Sequence, residues 1–278
     1  MVTDMETHFE KQDLSTPLRN PAIRQAIRML GLPERSQGLD AGCGIGRHSL
    51  LLAEAVGPGG YVTGLDLLAE FVAHARDQAK QSGLSDRVTF RQGNVNELPF
   101  DDDSFDWAWS VDCVGHISIG DPLNGLRELA RVVKPGGSVA LLGYSSQMLL
   151  PGYPRLEARL NATASATTPL AEGKEPKAHF TRALGWFHAA GFEEPTARTV
   201  AGTVHAPLDD GVRRALISLF GMLWGEMKSH MEDADREAFL RLTEPESPDF
   251  ILNEKDYSAF FTYSMFDGRV VKKEVGSV

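Results

Sequence analysis

The fold of this 278-residue chain is decided by residues 38–46, which read Gly38-Leu39-Asp40-Ala41-Gly42-Cys43-Gly44-Ile45-Gly46. A short apolar strand pattern precedes this stretch and a helical pattern follows it, so an acidic residue ends a strand and three alternating glycines lead into a helix. Glycine has no Cβ, so such a loop lets the backbone come close to a ligand. A dinucleotide-binding loop has the spacing G-x-G-x-x-G, which would require glycine where Arg47 stands. The observed spacing, D-x-G-x-G-x-G, predicts a loop for another nucleoside cofactor.

Strand and helix patterns alternate on both sides of this loop. Strands are predicted at 37–40, 61–66, 87–92, 105–111 and 138–144, and helices at 21–30, 45–56, 67–82 and 123–133. This alternation predicts an α/β fold in which a doubly wound parallel sheet carries helices on both faces. Right-handed crossovers place the loops that follow the strands at one edge, where ligands bind. We therefore expect the glycine loop, Asp66, Asn94 and the residues after Trp109 to meet there.

The glycine spacing resembles the first motif of the class I S-adenosylmethionine-dependent methyltransferases. Four further segments follow in that family's order, namely Gly64-Leu65-Asp66, Gly93-Asn94-Val95, Leu98 to Asp106 and Ser110 to His116. The third of them is most similar to the quinone- and small-molecule-methylating branch. The resemblance covers roughly residues 20–205 and a final strand. It implies a seven-stranded, mostly parallel Rossmann-like sheet whose last strand is antiparallel, with S-adenosylmethionine as cofactor and S-adenosylhomocysteine as product.

The chain beyond Tyr144 departs from the alternation. A helix is predicted at 180–190, a strand at 196–205 and the last strand within 259–271. The stretch 209–242 carries an apolar stripe at three- and four-residue steps, made of Val212, Leu216, Leu219, Leu223, Met227 and Met231. Such a stripe predicts a helix packed on the body of the protein. In the alternative, part of this face roofs the substrate pocket, and both interpretations can hold.

These patterns divide the chain into four regions. Residues 1–34 are predicted to form an N-terminal helical segment, and 35–205 the methyltransferase core, with a variable insertion at 145–177. Residues 206–256 are predicted to form a helical insertion that acts as a lid, and 257–278 the terminal strand and tail.

The resemblance implies a set of cofactor contacts at the strand ends. They are Asp40, Gly42, Cys43 and Gly44 in the loop, Asp66 and Leu67 after the second strand, Asn94 and Val95 after the third, and Val111 at the end of the fourth. The Asp66 carboxylate offers two acceptor oxygens to the ribose diol, and Leu67 would pack on the adenine. Asn94, where the family more often has Asp, keeps a carbonyl for the adenine amino group, and the Val95 amide would meet the ring nitrogen. The alternatives are a helix N-cap at Asp66 and a turn residue at Asn94.

His116 is the best candidate for a general base, because its unperturbed pKa suits proton removal from a nucleophile. A structural histidine is the alternative. Asp112 and Tyr144 are weaker candidates, and Cys113 is interpreted as a small buried apolar residue. Arg19 and Arg47 could pair with the cofactor carboxylate. The carboxylate run at 101–103 is interpreted as a solvated turn, and no metal site is predicted.

The amino-acid composition predicts which binding partners are excluded and where in the cell the protein lies. The net charge of −10 argues against a nucleic-acid footprint and against an anionic membrane surface. The segment after the fourth strand also lacks the two prolines of the adenine- and cytosine-methylating enzymes. Two cysteines, a polar N-terminus and no stretch of ~20 apolar residues predict a cytoplasmic protein with no membrane partner. The oligomeric state is not predicted.

The function predicted from these features is methyl transfer from S-adenosylmethionine to an O, N or C nucleophile of a small-molecule acceptor by in-line displacement. The alternative is an S-adenosylmethionine-binding regulatory protein that transfers no methyl group. A nicotinamide oxidoreductase is a third hypothesis, against which Arg47 argues.

Overall fold

The structure is a computed structural model, and it describes residues 2–115, 121–163, 175–225 and 231–272. The helices are α1 Val2–Leu30, α2 Arg47–Ala55, α3 Ala69–Gln81, α4 Pro122–Val132, α5 Pro154–Thr163, α6 Ala183–Ala189, α7 Asp210–Trp224 and α8 Asp233–Thr243. The strands are β1 Gln37–Ala41, β2 Tyr61–Asp66, β3 Val88–Gln92, β4 Phe105–Val111, β5 Val133–Met148, β6 Glu193–His205 and β7 Ser258–Arg269. Short 3-10 turns lie at Pro176–Ala178, Phe180–Arg182 and Ile251–Asn253.

The strands form one seven-stranded sheet in the order β3-β2-β1-β4-β5-β7-β6. Strands β3, β2, β1, β4 and β5 are parallel neighbours, and β7 runs antiparallel. In this register Asp40 lies between Gly64 of β2 and Trp109 of β4. The predicted doubly wound α/β fold with an antiparallel last strand is thus confirmed, and the ends of β1, β2 and β4 share the edge expected to bind a ligand.

The chain divides into two compact units. One comprises Met1–Ile23, Tyr144–Lys174 and Val200–Tyr263, and the other Arg24–Gly143, Glu175–Thr199 and Ser264–Val278. The second unit contains the glycine loop and every cofactor contact predicted above.

The core of the second unit is built on the middle strands. Trp107 and Trp109 of β4 are 1% and 0% exposed. A Cβ added to Gly38 would lie 2.0 Å from the Trp107 ring, so only glycine leaves room for it. The indole N–H of Trp107 donates to Ser36 Oγ over 2.8 Å, which satisfies the polar atom of this buried ring. Trp186 of α6 is also buried here, among the apolar side chains of α4 and β5.

The first unit has its own aromatic cluster around α7. Trp224 is fully buried, stacks on Phe220 with ring centroids 6.1 Å apart, and meets Phe239 of α8 edge to face. Its indole N–H donates to Asn161 Oδ1 over 3.0 Å. Leu216 and Leu223 of the predicted stripe are buried as well, as are Phe220 and Met231, whereas Met227 lies outside the described residues. The stripe is therefore packed within this unit, and its role as a lid stays a prediction.

Two elements begin five or more residues before their predicted starts. Helix α1 begins at Val2 rather than at Pro21, and it contains Pro17 and Pro21. Proline removes one helical hydrogen bond, but the buried face formed by Leu18, Ala22, Ile23, Ala26 and Ile27 continues through it and outweighs that loss. Strand β5 begins at Val133 rather than at 138, because the Gly136 N–H donates to the Val270 carbonyl and the Val270 N–H donates to the Gly137 carbonyl.

No helix within the described ranges is both long enough and apolar enough to span a bilayer.

Candidate functional site

The glycine loop joins β1 to α2 through three residues in the left-handed region, Gly42 (φ 81°), Gly44 (φ 52°) and Gly46 (φ 82°). Residues that carry a side chain rarely adopt such backbone angles. A Cβ at Gly42 would also lie 2.4 Å from Cys113 Sγ, and one at Gly46 would lie 2.8 Å from both Ala75 and Phe90. The glycines are therefore required both by the backbone angles and, at Gly42 and Gly46, by close packing.

Asp40 is the most unusual ionisable group of this loop. Its side chain is 1% exposed, and Oδ2 accepts a 2.6 Å hydrogen bond from Ser49 Oγ at the start of α2. Oδ1 is buried and has no hydrogen-bond partner among the described residues. Burial raises the pKa of Asp40 to about 7, the Ser49 bond opposes this shift, and the nearby charge of Asp66 adds to it. The site thus holds a buried acceptor oxygen suited to a cationic donor.

Asp66 connects the glycine loop to the end of β2. Its Oδ2 accepts from the Gly44 N–H over 2.9 Å, and its Oδ1 accepts from the Leu68 N–H over 3.0 Å. Helix α3 begins at Ala69 and its N-cap position is Leu68, so Asp66 forms a turn before the helix rather than the cap itself. Each carboxylate oxygen can accept a second bond, which leaves acceptors for a diol. Leu67 beside it is 61% exposed, which makes an apolar surface available to a ring.

Asn94 follows β3 in a tight turn. Its Oδ1 accepts from the Asn96 N–H over 3.0 Å, and its carbonyl accepts from the Glu97 N–H over 3.1 Å. The turn role considered for Asn94 is therefore present, and its exposed side chain keeps a further acceptor position and two amide donors. Val95 is buried next to it. The Gly93 N–H donates to the Asp66 carbonyl over 2.9 Å, which holds this turn beside Asp66 and Leu67.

The segment after β4 supplies the next border of the site. Val111 is buried, and Asp112 has a φ of 49° with its N–H donating to the Leu142 carbonyl over 2.8 Å. Desolvation raises the pKa of the Cys113 thiol to about 12, and burial raises that of Cys43 well above its usual range. Both thiols therefore stay protonated at neutral pH. His116, the predicted general base, lies outside the described residues.

Several of the remaining candidates have structural partners. Arg19 Nε donates to Tyr263 Oη, and Tyr144 stacks on Phe261 with centroids 6.2 Å apart. Both contacts belong to the first unit. Arg47 begins α2. In the carboxylate run, Asp102 pairs with Arg131 and Asp103 with Lys272. No three His, Cys, Asp or Glu side chains come together as a metal site in the part of the chain that the structure describes.

A large cavity of the second unit, about 1110 Å³, lies at the opposite end of the strands. It is lined by residues at the beginnings of β1, β4 and β5, including Ser36, Asp106 and Ser138. Parallel sheets bind ligands beyond the carboxyl ends of their strands, so this cleft is separate from the candidate cofactor site.

Three residues that support the candidate site were not predicted from the sequence. Ser49 was not singled out, although a hydroxyl within the apolar run Ser49-Leu50-Leu51-Leu52, nine residues after Asp40, is a visible signal. Glu128 and Arg131 of α4, which hold the segment after Asn94, were also missed. Their signal was a pair of opposite charges three residues apart on one helix.

Comparisons with known proteins bear on this geometry. Residues 39–137 match the family described as a methyltransferase domain. The demethylmenaquinone methyltransferase of Listeria welshimeri is 35% identical over 130 residues, which is 47% of this chain and 53% of that protein. The chain therefore spans about half the length of the curated relatives it matches.

Two solved structures share the fold. The YcgJ protein from Bacillus subtilis has a TM-score of 0.55 at 20% identity, covering 91% of this chain and all of that one. The 4+2 cyclase SpnF has a TM-score of 0.53 at 21% identity, covering 90% of this chain and 82% of that one. At these identities the likeness shows the architecture alone.

Proposed function

We propose that this chain, whose residues 39–137 form a class I S-adenosylmethionine-dependent methyltransferase domain, transfers a methyl group to a small-molecule acceptor. The resemblance seen in the glycine spacing is confirmed by the family match, and S-adenosylmethionine is the cofactor of the domain.

The observation that carries the proposal is the unpartnered Oδ1 of Asp40 beside the glycine loop. A buried carboxylate gains most from a cationic donor, and the amino-acid end of S-adenosylmethionine carries an ammonium group. Asp66 offers acceptors for the ribose hydroxyls, and the exposed Leu67 offers a surface for the adenine. Acceptors at the ends of β1 and β2, with an apolar surface beside them, fit this cofactor.

The chemistry demands little of the side chains. When bound, the sulfonium supplies an activated methyl group. The chain's own contribution is alignment, because holding two reactants in line supplies much of the acceleration. An O, N or C nucleophile would be placed near Val111 and the segment after it, and His116 is proposed to remove a proton from it.

The relatives suggest which class of acceptor to test first. These relatives are demethylmenaquinone methyltransferases, so a reduced demethylated naphthoquinone is the first acceptor to test. We propose that residues 145–177 and the insertion at 206–256 set the choice of acceptor, because they follow no motif of the core. A cytoplasmic location and the absence of a nucleic-acid partner are likewise proposals, and they rest on composition.

The second candidate is a protein that binds the cofactor and transfers no methyl group. The similarity in fold to a cyclase supports this second candidate, because it shows that the same architecture also serves chemistry other than methyl transfer. Such a protein would use Asp40, Gly42, Gly44 and Asp66 in the same way, so cofactor binding alone does not separate the two candidates.

The deciding experiment is transfer of a labelled methyl group from S-adenosylmethionine to a reduced demethylated naphthoquinone and to a small-molecule extract. Asp66→Ala serves as the binding-deficient control. Calorimetry with S-adenosylhomocysteine and with NAD runs in parallel and tests the oxidoreductase hypothesis. Labelled product that depends on Asp66 supports the proposal. Tight S-adenosylhomocysteine binding with no labelled product in either acceptor pool would favour the regulatory protein.

A further inference from the structure

The connection from β3 to β4 is held by two side chains of α4. The Leu98 N–H donates to Glu128 Oε2 over 2.8 Å, and the Leu98 carbonyl accepts from Arg131 Nη2 over 2.9 Å. Arg131 and Glu128 also meet each other through two bonds of 2.8 Å, from Nε to Oε1 and from Nη2 to Oε2. The N–H and the carbonyl of Leu98 are therefore both held by the ion pair between Glu128 and Arg131.

Arg131 also contacts later residues of the same connection. Its Nη1 donates to the Phe100 carbonyl over 2.8 Å and to Asp102 Oδ1 over 2.9 Å. The side chains of Arg131 and Glu128 are 32% and 22% exposed, whereas that of Asp102 is 67% exposed. Bonds shielded from water hold geometry better than exposed ones, so the contacts at Leu98 matter more than the contact at Asp102.

The clamped residue is close to the turn that follows β3. Leu98 is buried and directly follows Glu97, whose N–H closes the turn on the Asn94 carbonyl. On the other side of the turn, Gly93 is tied to the Asp66 carbonyl. Asn94 and Val95 therefore lie between one anchor on β2 and one on α4.

We propose that Glu128 and Arg131 are positioning residues for the adenine end of the cofactor site, acting through Leu98 on the turn that carries Asn94 and Val95. The inference rests on the proposed cofactor site. Asn94 Oδ1 accepts from an adenine amino group and the Val95 N–H donates to a ring nitrogen only when the turn keeps its place, so loosening the clamp reduces discrimination between bases.

The test compares two ligands that differ only in hydrogen-bond polarity at the base. S-Adenosylhomocysteine presents an amino group and an acceptor nitrogen, whereas S-inosylhomocysteine presents an oxygen and an N–H at the same positions. The unmodified protein is expected to prefer the adenine ligand by about tenfold or more, which corresponds to about 1.4 kcal/mol. Arg131→Lys keeps the charge but cannot reproduce the forked contacts, and should reduce the preference to within about threefold.

Two further variants separate positioning from general damage. Asp102→Ala removes only the exposed contact of Arg131 and should keep the full preference. Glu128→Gln retains an oxygen for the Leu98 N–H and should keep more of the preference than Glu128→Ala. All titrations are made well below the thermal midpoint of each variant, so that every protein is folded.

Several outcomes would overturn the inference. An equal loss of affinity for both ligands in Arg131→Lys would show a merely structural role, and an unchanged preference would show no role. If the parent protein binds S-adenosylhomocysteine no more tightly than S-inosylhomocysteine, Asn94 and Val95 do not contact the base and there is nothing for the pair to position. If the parent binds neither ligand, the proposed cofactor site is wrong as well. Failure of methyl transfer with the preference intact would refute only the proposed reaction.

Discussion

Replacing Asp40 with asparagine should change how the stability of the ligand-free protein depends on pH. The carboxyl group is fully buried, and burial raises its pKa from 3.8 to about 7. Between these values the folded protein keeps a proton on Asp40 that the unfolded chain has lost. The contribution of this group to the free energy of unfolding therefore falls as pH rises from 3.8 to about 7, and is constant above that range.

The size of the effect follows from the shift. Each pKa unit corresponds to about 1.36 kcal/mol, so a shift of this size is worth roughly 4 kcal/mol across the whole window. Other carboxyl groups act in the opposite direction. Burial opposes a lowered pKa at Asp106, but its bonds to the Gln37 N–H and Lys134 prevail, and the bond to Arg131 lowers that of Glu128. These contributions are the same in both proteins, so they cancel when the unfolding free energy of Asp40→Asn is compared with that of the parent.

The measurement is urea unfolding of both proteins without ligand at half-unit steps from pH 4 to 8. The difference in unfolding free energy should move by roughly 4 kcal/mol in favour of the variant as pH rises, and level off above about 7. S-Adenosylhomocysteine should also bind the parent more tightly as Asp40 ionises, and bind the variant with little pH dependence. A difference that stays flat over this range would show that Asp40 is ionised throughout and not buried as described.

Three further predictions concern single side chains. Asp66→Ala should weaken S-adenosylhomocysteine binding by about 1.5–3 kcal/mol, through lost ribose contacts and a freed Gly44 N–H; an unchanged calorimetric dissociation constant on folded protein would remove Asp66 from the site. Gly44→Val should abolish binding with modest loss of stability, since φ is 52° there and valine disfavours it; affinity within a few-fold of the parent would contradict a ligand approaching this loop. Trp224→Ala should cost about 3–5 kcal/mol of stability, because the ring is fully buried; a near-normal thermal midpoint with altered acceptor turnover would instead support the lid.

Local patterns were enough to predict the sheet but not the full length of its elements. Strands β2 and β4 have the predicted bounds, because their apolar runs end at clear turn residues. The start of β5 could not be predicted, since Gly136 and Gly137 read locally as a turn and become a strand only by pairing with Val270, far along the chain. Helix α1 was underestimated because Pro21 suits a first helical position and its burial partners are not visible in sequence.

The site was predictable in its composition but not in its bonding. The spacing predicted Asp40 and Asp66 as candidates, because the family motif fixes where acidic residues stand. That Asp66 would accept from Gly44 depends on how β1 and β2 are aligned in the sheet. The unused oxygen of Asp40 depends on which hydroxyl reaches it, and only the position of Ser49 at the start of α2 decides that. Such facts arise from tertiary placement, which spacing along the chain does not encode.

The four tryptophans give each compact unit its own optical reporter. Trp107, Trp109 and Trp186 are buried in the unit that holds the glycine loop, and Trp224 is buried in the other. Indole emission shifts to longer wavelength when water reaches the ring, so the native spectrum reports the state of both units at once. A phenylalanine at position 224 silences one of them. The fluorescence transitions of the two proteins then reveal whether the units lose their cores together or in sequence.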